Sequence, residues 1–210
     1  MNKPKERPIL FFGPMVRAIL DGRKTQTRRV VKPQPPEWID ELHGGQLSNR
    51  APYELENHDN QIVGWGFQDE RGTYWRAPYG KPGDRLWVRE AFRLAPLGNG
   101  PRDEFGRPAV THFRSTDSHL FPDVKWKPSI HMPRWASRIT LEITAVRVER
   151  LNEISRGDAM AEGCPHSNLA YGQNPCDWFH ELWESINGPE SWAANPWVWV
   201  IEFRKTEKKS

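Results

Sequence analysis

The spacing of turn-forming residues is the feature that most constrains the fold of this chain. Its 210 residues include 19 Pro and 16 Gly, which divide the sequence into short segments joined by turns and long connections. Apolar and alternating runs predict strands, and Ser137 to Arg150 is the clearest of them, with a bulge expected at Ala145–Val146. Ile62 to Phe67 and Thr73 to Arg76 are expected to form a hairpin. The connection lengths favour antiparallel pairing. The pattern therefore predicts an α+β fold in which a small β-barrel leaves no open sheet edge.

Three short helices complete the predicted pattern, at about residues 13–21, 155–162 and 175–186. Pro in the first turn marks the start of the first and the third helix. The second begins with the capping box Ser155-x-x-Asp158, and a Gly follows each of the three helices closely.

We expect a single domain over residues 1–210, with two long loop insertions at about 33–61 and 94–108. Both segments are rich in Pro, Gly and polar or charged residues, which is typical of long ordered or mobile loops. We expect them to lie over or beside the mouth of the functional pocket. The polar tail at 205–210 is predicted to be disordered.

The composition limits the class of protein. The hydrophobic share is 37% and the charged share is 27%, but 11 Trp supply the buried area that a core needs. A net charge of +3 is compatible with a nucleic acid or nucleotide partner without establishing one. Two Cys form no disulfide framework, and the charged N-terminus resembles no signal peptide or membrane span. We therefore expect a cytoplasmic protein with no membrane partner.

The basic stretch from Gly22 to Val30 is the first candidate functional feature. It contains four cations and two hydroxyls, and it is polar until Val30, so its side chains face water, a ligand or each other. Lys24 and Thr27 pair a base with a nucleophile, provided that desolvation or neighbouring cations lower the pKa of the lysine. Thr25 is a competing nucleophile. A solvated basic strand is the alternative interpretation.

Glu162 is the second candidate, because it occupies the last turn of the capped helix. The helix dipole disfavours a carboxylate there, which fits a general base or a positioning role. An exposed, functionally neutral Glu is the alternative.

Two further sets of residues have both a functional and a structural interpretation. Trp87 and Trp126 stand beside Arg89 and Lys127, as a base-stacking pocket needs, although Trp also builds cores. A second set of Cys and His residues is compatible with zinc, but its spacing matches no standard module, so we predict no metal and no cofactor. This set consists of Cys164, His166, Cys176 and His180.

Three motifs resemble the ASCH domain family, and the long insertions are similar to its phage and prophage branch. They are Gly22-Arg23-Lys24-Thr25-Gln26-Thr27, Gly83-Asp84-Arg85-Leu86-Trp87-Val88-Arg89-Glu90 and Ala159-x-x-Glu162-Gly163. The resemblance covers nearly the whole chain apart from the two insertions. It implies a small PUA-like β-barrel with flanking helices, a fold first interpreted as RNA-binding.

The resemblance also implies an activity. A small bacterial member of the family deacylates N4-acetylcytidine with a Lys, a Thr three residues later and a distant Glu. These fall on Lys24, Thr27 and Glu162, and an Arg two residues after the Thr falls on Arg29. The implied protein is an amidohydrolase of N4-acylated cytosine nucleosides or a related modified base. The present chain is about twice as long as that member, so its insertions could reshape the pocket.

Two alternatives stay open beside the amidohydrolase, namely a non-catalytic RNA-binding module and a ribonuclease. The expected partner is a small modified nucleoside, with RNA as the alternative. The residues expected to bind the substrate are Arg29, Trp87, Arg89, Glu90, Trp126 and Lys127.

Overall fold

The computed structural model describes residues 3–36, 52–56, 62–68, 73–95, 101–165, 167–168 and 172–206. A five-stranded sheet forms its centre. The strands are β1 (Glu6–Leu10), β2 (Gln26–Val30), β6 (Arg85–Arg89), β9 (Thr140–Arg150) and β10 (Trp197–Thr206). Their order is β1-β6-β9-β10-β2. Only the β1–β6 pair is parallel in this sheet of described strands, and the other neighbours are antiparallel.

Two smaller sheets flank the central one. The first consists of β3 (Tyr53–Glu56), β4 (Ile62–Gln68) and β5 (Tyr74–Arg76), and the second of β7 (Phe92–Leu94) and β8 (Val110–Phe113). The predicted hairpin between β4 and β5 is confirmed. Strand β3 lies inside the first expected insertion. The other insertion residues at 37–51, 57–61 and 96–100 lie outside the described residues.

Four α-helices are described, together with three 3₁₀ turns. They are α1 (Gly13–Leu20), α2 (Arg114–Asp117), α3 (Arg156–Ala161) and α4 (Pro175–Asn187), with turns at Ser129–His131, Arg134–Ala136 and Leu151–Glu153. The predicted capping box at the start of α3 is confirmed, because Ser155 Oγ accepts from the Asp158 amide at 3.1 Å and the Asp158 carboxylate accepts from the Ser155 amide at 3.3 Å. No helix of the described residues has the length and apolar character needed to cross a bilayer.

Both faces of the central sheet are buried. Trp197, Trp199 and Ile201 of β10 pack on the face that carries α1, whereas Val198 and Val200 pack on the face that carries α4. Burial on two sides explains the almost continuous apolar run of this strand.

Strand β9 is irregular near its middle, and β10 is longer than expected. Ala145 pairs with Glu202 and Ile143 with Phe203, which leaves Thr144 as the extra residue of a bulge. This position is one residue earlier than the predicted bulge. Strand β10 continues through Thr206, so the first two residues of the expected disordered tail pair with β9, while 207–210 lie outside the described residues.

The prediction of a small closed barrel is wrong, because the central sheet is open in the described part of the chain. Strands β1 and β2 are its two edges and share no ladder. Pro8 has no N–H to offer to another strand, which is typical of an edge. The α+β class is correct, but the space where a barrel would close is occupied instead by the cavity described below.

Candidate active site

A tight turn after α1 places Lys24 two residues before β2. Helix α1 ends at Leu20, and Gly22 reverses the chain with a φ of +76°, which glycine adopts without steric cost. The Lys24 amide then bonds to the Ala18 carbonyl at 3.0 Å. A backbone bridge joins Lys24 to Glu162, the residue that caps the C-terminus of α3. The beginning of β2 and the end of α3 are therefore fixed to each other.

Lys24 and Glu162 form a buried ion pair at this junction. The Lys24 Nζ atom lies 2.6 Å from Glu162 Oε2 and 2.9 Å from the Glu162 carbonyl oxygen. The exposed fractions of the two side chains are 0% and 2%. Arg28 holds the second carboxylate oxygen, with Nη1 at 3.2 Å from Oε1. Two cations thus share the Glu162 carboxylate away from water.

Burial lowers the pKa of the Lys24 ammonium below its ordinary value, although the Glu162 carboxylate opposes the shift. The charges of Arg29 and Arg28 add to the lowering. Arg23, which the sequence also offered as a neighbouring cation, instead binds the Gly163 carbonyl at 2.8 Å and Asp21 at 2.9 Å. Lys24 therefore loses its proton more easily than a solvated lysine, as a general base requires.

Thr27 lies in the middle of β2, opposite Ile201 of β10. Its side chain is buried, and its Oγ1 accepts a hydrogen bond from Arg29 Nη1 at 3.0 Å. Thr25, the competing nucleophile, is exposed. The Lys24 Nζ and Arg29 Cζ atoms lie 5.8 and 5.3 Å from the centre of the same Phe11 ring, so Lys24 and Arg29, the donor to Thr27, both lie near Phe11.

A cavity of about 350 Å³ opens between the unpaired edges β1 and β2, within the range of small-molecule sites. Helix α4 covers one side of it. The cavity is lined by Pro8, Ile9, Leu10, Phe12, Met15, Thr27, Arg28, Arg29, Val30, Tyr79, Arg89, Glu162, Phe179, Leu182, Trp183, Ile186 and Asn187. Thr27 and Glu162 therefore both border it. Lys24 is absent from this lining and contacts Glu162 from behind.

The six residues expected to bind the substrate separate into two groups. Arg29 and Arg89 line the cavity, whereas the other four are not among its described lining residues. Trp87 is buried, with the Arg89 guanidinium 4.7 Å from its ring centre. The main chain of Lys127 bridges to Phe92, and Trp126 precedes it in the same segment.

Glu90 does not line the cavity and is bound instead to Arg138 and Ser115. Its carboxylate accepts from Arg138 Nε at 2.9 Å and Arg138 Nη2 at 3.1 Å, and it also binds the Ser115 hydroxyl. The side chain is 3% exposed. This geometry is that of a satisfied, buried ion pair that ties β6 to the segment before β9.

The Cys and His residues considered for zinc make ordinary packing contacts where they are described. Cys176 Sγ lies 3.8 Å from the Ile154 carbonyl, and His180 stacks on Trp192 with ring centres 4.7 Å apart. Within the described residues, no group of three or more His, Cys, Asp or Glu is arranged to hold a metal ion. His166 lies outside the described residues.

The sequence did not identify the ion network that supports Glu162 from the other face of β2. Arg28 binds Glu149 through Nε at 3.0 Å and also through Nη2, and its Nη2 lies 3.6 Å from Asp158. Arg147 contacts Glu149 at 3.1 Å and Asp158 at 2.6 Å. Successive side chains of β2 point to opposite faces of the sheet, so Arg28 and Thr27 face opposite ways. This alternation is the sequence signal that could have shown that Arg28 belongs to the ion network and Thr27 does not.

The ion network around Arg28 favours the ionised form of Asp158. Burial raises its pKa, but the Ser155 hydrogen bond and the charges of Arg28 and Arg147 outweigh that effect and bring the pKa down to about 2. The carboxylate that caps α3 therefore also contributes to the charge balance around Arg28.

Comparisons with known proteins add little to this geometry. No protein-family model matches the chain, and no curated protein matches it either. Among solved structures, the high-resolution crystal structure of an ASCH domain from Lactobacillus crispatus JV V101 is similar. The two are 13% identical, the alignment covers 96% of this chain and 79% of that chain, and the TM-score is 0.39. A likeness of this size does not assign the chain to the ASCH family, so the resemblance of its motifs to that family and its phage branch stays a prediction.

Proposed function

We propose that this protein is a cytoplasmic amidohydrolase that removes the acyl group from N4-acylated cytosine nucleosides or a related modified base. The observation that carries the proposal is the buried Lys24–Glu162 pair, 2.6 Å apart, whose Glu162 lines the same cavity as Thr27. A lysine with a lowered pKa is a base that can activate a weak oxygen nucleophile such as the Thr27 hydroxyl.

In the proposed first step, Thr27 Oγ1 attacks the acyl carbon while its proton passes to the neutral amine of Lys24. Arg29 donates to Oγ1 and would stabilise the negative charge as it develops. The C–N bond then breaks. Its electron pair goes to the exocyclic nitrogen of the base, which takes the proton back from Lys24, and the acyl group remains as an ester on Thr27.

In the second step, water hydrolyses the ester. Glu162 or Lys24 takes a proton from the water, and the Thr27 oxygen recovers a proton as the carboxylic acid leaves. Glu162 is suited to this role because it borders the cavity and contacts Lys24 at the same time. The backbone bridge between the two residues keeps both in position before the substrate arrives.

The apolar wall of the cavity supports a flat, uncharged base as the group that is bound there. Phe179, Leu182 and Trp183 of α4 and Phe12 after β1 supply this wall. The cavity, at about 350 Å³, is large enough for a ligand of this size class.

The experiment is to incubate the purified protein with a panel of N4-acylated cytidines and to follow cytidine and free acid by chromatography. We expect turnover of at least one member, with a rate that changes little with salt for a free nucleoside. Absence of turnover for the whole panel, combined with RNA binding that weakens steeply as salt rises, would instead support the non-catalytic RNA-binding module.

A further inference from the structure

The charged residues that line the cavity carry more positive than negative charge. Its charged lining residues are three guanidinium groups (Arg28, Arg29 and Arg89) and one carboxylate, Glu162. Arg28 is compensated by Glu162 and Glu149. Within the described part of the chain, the side chain of Arg29 bonds to uncharged oxygens, at Thr27, Arg28 and Leu10. Two charges in the cavity are therefore left without a counterion among the described residues.

Arg29 and Arg89 both lie next to the end of β1. Leu10 is the direct partner of Arg89 in the parallel ladder between β1 and β6. The Leu10 carbonyl also accepts from Arg29 Nη2 at 2.9 Å, across the gap between the sheet edges. Arg29 and Arg89 therefore flank Leu10 from its two sides. Two like charges that line one cavity repel each other, and an anion bound between them would offset this repulsion.

Two buried N–H donors in the same lining have no acceptor within the described part of the chain. One is Arg89 Nε and the other is the indole Nε1 of Trp183, a residue that is 5% exposed. Buried donors are normally satisfied, and these two belong to residues that line the cavity, so an acceptor bound there could pair with them once the side chains turn toward it. Stacking on Trp87 at 4.7 Å holds the Arg89 guanidinium in place.

We propose that the substrate carries a phosphate group, which Arg89 binds together with Arg29, with the Trp183 indole as an additional donor. This inference rests on the proposed function, since it names the form of the nucleoside that enters the cavity. An N4-acylated base and its ribose are uncharged. A phosphate supplies several acceptor oxygens to two guanidinium forks, which suits Arg better than any neutral group on a nucleoside.

The surface beyond the cavity offers a path for a longer substrate. Phe12 is 63% exposed and borders both the cavity and a second depression of about 460 Å³. Arg17 and Arg114 line that depression. Arg17 is anchored to the Ser115 carbonyl at 2.8 Å, and Arg114 is exposed, with no ion pair in the described residues. A terminal nucleotide and an oligonucleotide are therefore the two sources of phosphate to separate.

The test uses the full chain and unacylated probes, so that it does not depend on catalysis. Binding of cytidine, cytidine 5′-monophosphate, cytidine 3′-monophosphate and a short oligocytidylate is measured by calorimetry at low salt. We expect at least one monophosphate to bind about tenfold or more tightly than cytidine, as a charge-assisted contact predicts. This advantage should disappear in Arg89→Met and survive in part in Arg89→Lys. It should be unchanged in Arg85→Met, because Arg85 is exposed at the other end of β6.

Equal affinity of the wild-type protein for cytidine and both monophosphates would overturn the inference, and so would a phosphate advantage that survives Arg89→Met. The wild-type comparison remains decisive if an Arg89 variant does not fold. If oligocytidylate binds more tightly than the monophosphates and Arg114→Ala removes this difference in affinity, the phosphate source is an oligonucleotide. If oligocytidylate binds no more tightly than the monophosphates, the source is a mononucleotide. Phosphate-dependent binding without deacylation of any acylated cytidine would uphold this inference and reject the proposed function.

Discussion

Lys24 donates to Glu162 twice, at 2.6 Å to the carboxylate and at 2.9 Å to the main-chain carbonyl. A neutral amine has two N–H groups and one lone pair. Both N–H groups can therefore stay bound to Glu162 when Lys24 is deprotonated, which leaves the lone pair as the acceptor for a proton. The same residue that compensates the ammonium also orients the amine.

The side chain of Thr27 is expected to be the nucleophile. Thr27→Ser should keep measurable deacylation because the hydroxyl remains, whereas Thr27→Val should reduce it by on the order of 1,000-fold or more while preserving shape and β propensity. Thr25→Val is the matched control, because Thr25 is exposed two residues away, and it should be close to wild type. Deacylation is measured by chromatography of the products. Full activity in Thr27→Val would end the covalent mechanism.

Removing Lys24 should affect stability as well as activity. Lys24→Met leaves Glu162 buried with Arg28 alone, and the free energy of unfolding should fall by about 3–5 kcal/mol. The double variant Lys24→Met/Glu162→Met replaces both charges with apolar groups and should recover most of that loss, while remaining inactive. Urea unfolding measures the free energy of unfolding of the single and the double variant. If the single variant is as stable as wild type, the pair does not contribute as described.

The buried lysine should make stability depend on pH in a defined direction. The pKa of Lys24 is below its ordinary value of 10.5 in the folded protein because burial lowers it. Between the folded value and 10.5, the unfolded chain binds more protons, so stability rises with pH in that window. The difference in free energy of unfolding between wild type and Lys24→Met/Glu162→Met should therefore shift in favour of wild type as pH increases. A constant difference, or the opposite slope, would contradict the lowered pKa.

Gly163 is expected to be essential for the position of Lys24. It has a φ of +104°, and an added Cβ would lie 3.0 Å from Ala18 Cβ and 3.2 Å from Lys24 Cβ. Gly163→Ala should lower the free energy of unfolding by about 1–3 kcal/mol and reduce deacylation. Gly157→Ala, inside α3 with its nearest contact at 3.7 Å, should instead raise stability by about 0.5–1 kcal/mol. Thermal unfolding and a deacylation assay distinguish Gly163→Ala from Gly157→Ala.

Glu90 tests whether a residue of the predicted substrate set is structural. Because it is bound to Arg138 and Ser115, Glu90→Gln should lower the free energy of unfolding by about 1–3 kcal/mol and leave KM unchanged. Glu54→Gln, which breaks the exposed pair with Lys81, is the control and should cost about 0.5 kcal/mol or less. A raised KM with normal stability would return Glu90 to the substrate site.

Local sequence patterns were sufficient for the elements that depend on local physics. The capping box of α3 and the β4–β5 hairpin were predicted because turn and capping residues act within a few positions. The association of Lys24 with Glu162 came from a motif resemblance, since nothing in the spacing of 138 residues implies contact.

Other features depend on tertiary packing and could not be obtained from the sequence. Arg28 was grouped with Arg23 and Arg29 as one basic run, but the pleat of β2 sends it to Glu149 on the opposite face. The open sheet was missed because closing a barrel depends on what lies between its edges. Here a cavity and the Arg29 contact to Leu10 occupy that space.

The backbone junction between β2 and α3 has a consequence for hydrogen exchange. The Thr25 amide bonds to the Ala161 carbonyl at 2.8 Å, and Phe203 of β10 bonds to the Thr25 carbonyl at 2.8 Å. Fraying of the short helix α3 would therefore release the edge strand, and opening of that strand would release the helix. The amides of both segments should exchange with a common protection factor, so that Lys24 and Thr27 are brought into place or released in one cooperative event.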